Sequence, residues 1–410
     1  MIYIKKFIAG YKDDIPQIEE LKATIDIEKR MIKIRKSRYD IIIALIYNGW
    51  EKSLKLYDNK NKEILVNSLK YIKETSQYIF YTFELLIIGE HKEKYLENVE
   101  KLTVEFKLLS AKKLFLNDSL YIKCTIENGI NLLIKNDKIV LDNICLDEKK
   151  ILRILTNIFE IIAIIYGSFP KIKLYEFIAG RRKIYKYADQ IGYLNSSNGE
   201  NNKLKDFSYL KDFSKIYEQY VALKEIVNRL PLQGFFNSQS ATQVYIDYKL
   251  SNLLQSIDGF SCVIYKPLIK EDKKIQIDHK RKISDKIKEH LESNKLEWNC
   301  SKEEYNEFCD SISYSVSKIE FKEYLEYLFN KEYSKKIFHE EINLTEENDY
   351  TMPQKIFINT SVNERNRLSH MSYDKKKKYF TLNQLQTAYD KYSLLFRCMV
   401  LEYLNVDFSI

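Results

Sequence analysis

Side chains that could act together on a phosphodiester are concentrated in one short segment, residues 363–371. If this segment is helical, at about 100° per residue, Asn366 and His370 share a face because they are four residues apart. Arg365 then lies about 140° around the helix from His370. One surface could therefore present a permanent cation, an amide and a titratable imidazole.

These three residue types suit cleavage of RNA without a metal ion. An imidazole can take the proton from a ribose 2′-hydroxyl or give one to the departing 5′-oxygen, so we predict His370 as the general acid or base. A guanidinium stays charged and binds phosphate with two N–H groups, which makes Arg365 the predicted phosphate clamp. The Asn366 amide could orient either the His370 imidazole or the Arg365 guanidinium. One histidine does not easily serve as base and acid in a single step, so this chemistry favours a twofold dimer that supplies a second copy.

A structural interpretation of the same segment remains open. Arg365 and Arg367 could be surface charges paired with Glu364, and His370 could be a core or interface histidine. The position just before the last predicted helix favours the catalytic interpretation. The other histidines lie beside charged residues without a spaced partner, which favours structural roles for His91, His279, His290 and His339.

The run Arg365-Asn366-Arg367-Leu368-Ser369-His370 resembles the R-x4-6-H motif of the HEPN superfamily, in which an Asn frequently follows the Arg. Active members of that superfamily are metal-independent endoribonucleases of bacterial defence, toxin–antitoxin and CRISPR systems. The resemblance implies a helical bundle with the motif near its last helices, and a homodimer that builds one composite site. It covers about residues 205–410.

The layout of an irregular N-terminal region before such a bundle resembles the ApeA-like abortive-infection proteins. In those proteins the bundle begins with a helix like residues 253–260, and Asp258 stands where many of them carry an acid. The resemblance therefore implies a supporting role for Asp258, although Glu is commoner there and Ser261 stands where a His is often seen. Some HEPN toxins carry a modified Tyr two residues after the His, whereas Tyr373 is three residues after His370.

A basic and aromatic segment follows the motif. The residues that we predict to bind RNA are Arg367, Tyr373, Lys375, Lys376, Lys377 and Lys378. Clustered lysines would raise the local RNA concentration in a salt-dependent manner. Tyr373, Tyr379 or Phe380 could stack on unpaired bases. The alternative is a solvated turn whose aromatic side chains pack into the bundle.

The N-terminal half shows patterns of both strands and helices. Apolar residues alternate with polar ones over residues 102–108 and 120–126, which predicts half-buried strands. Residues 136–138 are typical of a hairpin turn. We predict a helix over about residues 148–166 and a strand over residues 171–175. Residues 10–60 mix helical periods with charged stretches and permit no firm assignment.

Residues 195–202 contain no sizeable apolar side chain, so we place a domain boundary there. Beyond it the apolar period is helical. The predicted helices are residues 246–257, closed by Gly259; residues 283–291; residues 319–328; and residues 382–403, opened by a Thr381-x-x-Gln384 capping box. The predicted fold class is therefore α+β, with a mixed domain of helices and strands over residues 1–195 and an all-α HEPN helical bundle over residues 205–410.

The composition of the 410 residues agrees with a folded chain of two to three domains. With 45% apolar residues but only 10 Gly and 5 Pro, the chain can bury cores yet has few turn-forming residues, so much of it must be helical. A net charge of +8 is compatible with polyanionic partners but does not by itself indicate them. The six cysteines are scattered, which indicates reduced thiols and no zinc site, with Cys300 and Cys309 as half-buried helix positions.

The sequence shows neither the pattern of a signal peptide or membrane span nor a common nucleotide or hydrolase motif. The N-terminus becomes charged before an apolar stretch of signal-peptide length develops, and residues 151–169 are interrupted by Arg153, Asn157 and Glu160. We therefore predict a cytoplasmic protein with no membrane partner. The chain carries no Walker-type, GxGxxG, HExxH or GxSxG motif, which disfavours nucleotide hydrolysis and serine-esterase chemistry.

The sequence thus predicts a metal-independent endoribonuclease that needs no cofactor and acts on cellular RNA, tRNA or mRNA, in anti-phage abortive infection. The N-terminal half would sense a phage-derived trigger or bind a regulatory partner. Two alternatives stay open: a catalytically silent HEPN-fold module that binds RNA or protein, and the toxin of a toxin–antitoxin pair.

Overall fold

A computed structural model of the chain combines helices with a large antiparallel sheet, which confirms the α+β class. The chain divides into two compact units, residues 1–198 with 205–220, and residues 199–204 with 221–410. The structure describes residues 1–12, 15–35, 53–67, 69–89, 98–107, 114–115, 119–167, 169–187, 212–240, 245–294, 301–344, 351–370 and 374–408. The predicted linker, residues 195–202, lies outside these ranges.

The first unit contains a sheet of fourteen strands among the described residues. In chain order the strands are β1 (Ile2–Lys12), β2 (Ile15–Asp26), β3 (Met31–Arg35), β4 (Ser53–Asp58), β5 (Glu63–Asn67), β6 (Lys70–Glu74), β7 (Tyr78–Thr82), β8 (Leu85–Ile88), β9 (Val99–Lys107), β10 (Ile122–Ile126), β11 (Ile130–Ile134), β12 (Lys138–Leu146), β13 (Lys171–Ala179) and β14 (Arg182–Tyr187). Their order across the sheet is β10-β11-β12-β9-β13-β14-β8-β5-β4-β1-β2-β3-β7-β6, and every pair is antiparallel.

The strands predicted from alternating apolar residues are confirmed at β9, β10 and β13, which extends beyond the predicted end at residue 175 to residue 179. In β9 the side chains of Leu102, Val104 and Phe106 are buried on one face. The described part of residues 10–60, which the sequence left unassigned, forms strands and turns between them. Charged and apolar residues alternate in β3, where Ile32 and Ile34 are buried, so a charged stretch is the exposed face of a strand.

The predicted hairpin and helix in this unit are also confirmed. The turn at residues 135–137 joins β11 to β12, and the Lys135 amide donates to the Lys138 carbonyl. Helix α1 (Glu148–Tyr166) is capped at its N-terminus by Asp147, whose side chain accepts a hydrogen bond from the Lys150 amide at 2.9 Å. Its C-cap is Gly167, which adopts the left-handed conformation that glycine favours.

The first unit extends into residues that we predicted to belong to the C-terminal domain. Helix α2 (Phe213–Ile226) begins in this unit, which ends at Tyr220. The Tyr217 hydroxyl donates to Glu127, and the Tyr220 hydroxyl donates to Glu160 of α1 at 3.1 Å. These half-buried hydrogen bonds explain why the described residues 212–220 group with the first unit.

The second unit consists mainly of helices. They are α3 (Leu230–Ser240), α4 (Ile246–Ile264), α5 (Lys266–Asp272), α6 (Lys274–Ser293), α7 (Lys302–Ser317), α8 (Phe321–Phe329), α9 (Glu332–Ile337), α10 (Gln354–His370) and α11 (Leu382–Tyr403). Strands β15 (Glu341–Asn343) and β16 (Thr351–Pro353) pair in an antiparallel hairpin before α10. The prediction of an all-α C-terminal domain was therefore wrong. In each of the two strands one apolar residue, Ile342 or Met352, is buried between exposed neighbours, and this alternation is typical of a strand.

The four helices predicted in this region are present as α4, α6, α8 and α11. The capping box of α11 is confirmed, since the Thr381 amide donates to the Gln384 side chain at 3.0 Å. In α6, by contrast, only Leu291 of the predicted apolar stripe is buried, and Ile283 and Ile287 are exposed. Cys309 is a half-buried residue of α7, as predicted, and Cys300 lies outside the described residues.

Gly259 does not end a helix, as the sequence suggested, but lies inside α4. A Cβ atom at this position would lie 3.1 Å from Cγ of Pro231 in α3. In the same interface a Cβ atom on Gly234 of α3 would lie 2.5 Å from Oγ of Ser256 in α4. The two glycines therefore let α3 and α4 approach closely, which explains a glycine in a helix interior despite its poor helix propensity.

We expect Gly234→Ala to lower the free energy of unfolding by about 1–2 kcal/mol, because crowding against Ser256 outweighs the better helix propensity of alanine. The double variant Gly234→Ala with Ser256→Ala should recover most of this loss, since the nearest atoms to the new methyl group are then the Asn252 carbonyl oxygen at 3.5 Å and Cβ of residue 256 at 3.8 Å, both at ordinary contact distance. Urea denaturation of both variants beside wild type measures the effect. Equal stabilities of the single and double variants would show that Ser256 does not limit this contact.

Candidate functional site

The segment predicted to carry the chemistry is helical, because residues 363–370 form the second half of α10. Its first half anchors the helix in the core of the second unit. The Phe357 ring stacks on that of Tyr392 in α11, with 5.4 Å between centroids. The buried Ser361 hydroxyl accepts a hydrogen bond from the Tyr392 hydroxyl at 2.7 Å. These contacts fix α10 against α11 and so set the direction of the residues that follow.

Arg365 is held by three elements of the second unit. Its Nη2 donates to Oδ2 of Asp258 in α4 at 2.7 Å, and its Nη1 donates to the side chain of Asn366 at 3.1 Å. The guanidinium carbon lies 5.9 Å from the ring centroid of Phe321 in α8, within cation–π range. The structure thus brings together three of the predicted site residues, Arg365, Asn366 and Asp258.

A second polar contact joins the same two helices one turn away. Gln255 precedes Asp258 by three residues in α4, and its Nε2 donates to Oγ of Ser369 at 3.2 Å. Ser369 follows Arg365 by four residues in α10. The order of these contacts means that α4 and α10 run antiparallel here, so the polar residues of both helices line one seam.

The Asp258 carboxyl has a pKa above its ordinary value. Burial is the largest cause and raises the pKa, whereas the charge and the hydrogen bond of Arg365 oppose this effect. In the folded chain Arg365 is thus the group that favours ionised Asp258. The pair is half-buried, with 29% of the Arg365 side chain and 21% of the Asp258 side chain exposed.

The raised pKa predicts that Asp258 destabilises the fold as pH rises above about 4, the ordinary carboxyl value. The sign follows because the folded state then binds the proton more tightly than the unfolded chain. Asp258→Asn should therefore make the free energy of unfolding fall less with pH, measured by urea denaturation from pH 4 to 7. Asp310→Asn, a change at an exposed position of α7, is the control. An unchanged slope for Asp258→Asn would contradict the prediction.

Glu364 is buried and binds Arg367 rather than Arg365. The Nε and Nη2 atoms of Arg367 each lie 2.9 Å from Oε2 of Glu364, while Oε1 accepts the Phe380 amide at 2.8 Å. Burial raises the pKa of Glu364, and Arg367 lowers it. Arg367 also lies 3.9 Å from Asp247 of α4. The positive charge of Arg367 is thus balanced by two acids. This pairing leaves Arg367 less suited to bind RNA phosphate than the sequence predicted.

His370 is the last residue of α10. Its side chain lies outside the described part of the structure, as do Met371 and the predicted RNA-binding residue Tyr373. The backbone of α10 places His370 one residue after Ser369 and four after Asn366. The helical spacing on which the sequence prediction depends is therefore present.

The four lysines form an exposed turn beside α10. Lys375, Lys376, Lys377 and Lys378 have exposed side chains. The Asp374 side chain accepts the Lys376 amide at 2.9 Å, and the Asn363 side chain donates to the Lys378 carbonyl at 3.1 Å. Within the described ranges none of the four lysines forms an ion pair, so the turn adds net positive charge next to the motif.

The aromatic residues of this segment differ in accessibility. Phe380 is buried and its ring lies 5.2 Å from that of Phe357, so it cannot stack on a base, which corrects one of the alternatives considered from the sequence. The Tyr379 ring lies under the Arg367 guanidinium, 5.6 Å from its carbon. Both contacts tie the lysine turn to the motif helix.

Four residues of the site were not expected from the sequence: Gln255, Ser369, Phe321 and Asp247. Gln255 could have been found, because it lies one helical turn before Asp258 and therefore on the same face. Phe321 and Asp247 carried no such signal, since their contacts with the motif depend on how separate helices pack, which the sequence does not show.

The described residues include no cluster of three or more His, Cys, Asp or Glu side chains suited to a metal ion. None of the helices in the described ranges combines the length and apolarity that crossing a bilayer requires.

The fold and the site together define an α+β chain in which a guanidinium–carboxylate pair joins two C-terminal helices, and the arginine of this pair precedes by five residues a histidine at a helix end. Comparison with known proteins found no matching family model, no matching curated protein and no matching solved structure.

Proposed function

We propose that the chain is a metal-independent endoribonuclease and that its second unit is a HEPN-type bundle following a regulatory α+β unit, as in ApeA-like abortive-infection proteins. The observation that carries the proposal is the position of Arg365, Asn366 and His370 within six residues of one helix, with Asp258 holding the guanidinium. The phage-defence role, the cytoplasmic location and the dimer are parts of the same proposal.

The chemistry assigned to these residues is a transfer within the RNA strand. The ribose 2′-oxygen attacks the adjacent phosphorus as a base takes its proton, the bond from phosphorus to the 5′-oxygen breaks, and that oxygen receives a proton. The products are a 2′,3′-cyclic phosphate and a 5′-hydroxyl. His370 acts as general acid or base. Because two proton transfers are needed, the second imidazole comes from the partner subunit of a homodimer.

Arg365 is suited to hold the phosphate while Asp258 keeps the Arg365 guanidinium in place. Its bonds to Asp258 and Asn366 each use one N–H of a terminal nitrogen, so each of these nitrogens retains a second N–H. A pair of such groups matches phosphate oxygens on which charge accumulates. The exposed turn of Lys375, Lys376, Lys377 and Lys378 would hold the RNA backbone near this point.

Cleavage of total RNA by the purified full-length chain in EDTA tests the function. We expect wild type to cut and to leave 3′ ends that resist alkaline phosphatase until acid opens the cyclic phosphate. Arg365→Ala should cut at least about a hundredfold more slowly, as expected for loss of a group that stabilises transition-state charge. Cleavage that requires added metal, or ends that carry a 5′-phosphate, would exclude the proposed chemistry.

A catalytically silent binding module is the second candidate. The contacts of Arg365 with Asp258 and of Gln255 with Ser369 are also what a structural seam between two helices requires. Intact RNA with wild type, Arg365→Ala and His370→Ala alike, together with a wild-type dimer in analytical ultracentrifugation, would favour this module over the nuclease.

A further inference from the structure

A cleft of about 480 Å³ lies on the sheet of the first unit, far in sequence from the motif helix. The strand register places Tyr3 beside Thr24 and Thr24 beside Lys33, on β1, β2 and β3. The intervening residues, such as Ile4 and Ile34, are buried on the opposite face. The cleft thus opens on the solvent-facing side of a sheet whose other side forms the core of this unit.

Four cationic side chains line the cleft, Lys5, Lys22, Lys33 and Arg35. None of the described residues that line it is acidic, and the described part of the chain provides no ion pair for these four groups. Like charges that line one small cleft repel one another, so this set of cations favours an anion with several negative charges.

Aromatic side chains accompany the charges. The Lys33 ammonium lies 3.8 Å from the ring centroid of Tyr78, a cation–π contact between two residues that both line the cleft. Tyr3, which also lines the cleft, is 59% exposed. An exposed ring beside converging cations offers a flat surface to an aromatic base whose phosphates bind the charges.

The size of the cleft and the density of charge distinguish the ligand classes. Pockets of about 300–1,000 Å³ hold small molecules. A single RNA strand brings one charge with each nucleotide and would place few phosphates in so small a volume. A nucleoside polyphosphate concentrates several charges in one compact group, which matches four cations around one cleft.

From these observations we infer that the first unit binds a nucleoside polyphosphate, with its phosphates on Lys5, Lys22, Lys33 and Arg35 and its base against Tyr3. This ligand site is separate from the proposed nuclease site, and its occupation can be measured in the absence of RNA. Failure to bind nucleotides would leave the nuclease proposal untouched, and failure to cleave RNA would leave the nucleotide site untouched.

Isothermal titration of the full-length chain with ATP, GTP, CTP and UTP tests the inference. For a nucleotide that binds, we expect affinity to fall from the triphosphate to the monophosphate, and inorganic tripolyphosphate to bind more weakly than the nucleotide. Lys22→Glu and Arg35→Glu, at exposed positions that can be changed without disturbing the core, should each weaken binding by about tenfold or more. Tyr3→Ala should weaken it by about fivefold or more through lost stacking.

Lys135→Glu, on the exposed turn between β11 and β12 of the same unit, is the matched control and should bind like wild type. The inference is overturned if none of the four triphosphates binds, if Lys22→Glu and Arg35→Glu weaken binding no more than Lys135→Glu does, or if tripolyphosphate binds as tightly as the nucleotide. A ten-residue single-stranded RNA that binds through these residues while the triphosphates do not would assign the cleft to RNA instead.

Discussion

Replacing His370 by alanine is expected to slow the cleavage of RNA in EDTA by about 10²–10⁴-fold. The reason is that, without a metal ion, proton transfer to and from the reacting oxygens depends on a side chain whose ordinary pKa lies near neutrality, and imidazole is the side chain that has one. Arg365 and Asn366 precede His370 on the same helix, so the variant removes the proton-transfer group and keeps the groups that position phosphate. The measurement is the initial rate of cleavage of a labelled RNA at equal protein concentration.

The matched control for this experiment is His339→Ala, because His339 is an exposed histidine of the same unit. It should cleave at the wild-type rate. The denaturation midpoint of His370→Ala should stay close to that of wild type, which separates a lost chemical step from a lost fold. If His370→Ala and wild type cut equally fast, His370 is not the acid or base and the assignment of this site fails.

Replacing Glu364 by alanine is expected to lower the free energy of unfolding by about 2–3 kcal/mol, a large effect for one substitution. Glu364 is 1% exposed and accepts hydrogen bonds from Arg367 and from the Phe380 amide. Its loss leaves a half-buried guanidinium beside Asp247 alone and a buried amide without its acceptor. Urea denaturation of the full chain measures the change.

Glu332→Ala provides a close comparison, since Glu332 pairs with Lys335 at the same three-residue spacing but with a side chain that is 88% exposed. Exposed ion pairs contribute little, so this variant should denature almost as wild type does. Glu364→Gln should be intermediate, because an amide oxygen can still accept the Phe380 amide. Equal effects of Glu364→Ala and Glu332→Ala would show that burial does not strengthen the Glu364 contacts.

How far the sequence predicts the fold depends on how local the signal is. The bounds predicted for helix α1, about residues 148–166, agree with those observed, because its apolar period is carried by near neighbours in the chain. Residues 31–35 were not assigned as a strand, although Ile32 and Ile34 alternate with charged residues. Five residues are too few for the period to stand out, and the pairing of β3 with β2 and β7 is what makes it a strand.

For the candidate site, too, the sequence predicted what depends on near neighbours in the chain and missed what depends on packing. The spacing of Arg365, Asn366 and His370 could be interpreted from the sequence because it depends only on the helical repeat. Gly259 was misinterpreted because a glycine after an apolar stripe usually ends a helix, whereas here it contacts Pro231 of another helix. The pairing of Arg367 with Glu364 was among the alternatives, since three-residue spacing on a helix brings two side chains together. That Glu364 is buried was not expected.

The sequence by itself determined several of the helices, among them α1 and α11, and that one short segment carries a guanidinium, an amide and an imidazole at helical spacing, because backbone hydrogen bonding and caps act between near neighbours. Only the tertiary structure decided that Arg365 binds Asp258, 107 residues away in the chain, and that Lys33 and Arg35 share a cleft with Lys5 and Lys22. The physical reason is that burial and charge pairing act between residues that are close in space, and the packing of α4 against α10 and the order of strands in the sheet establish those distances.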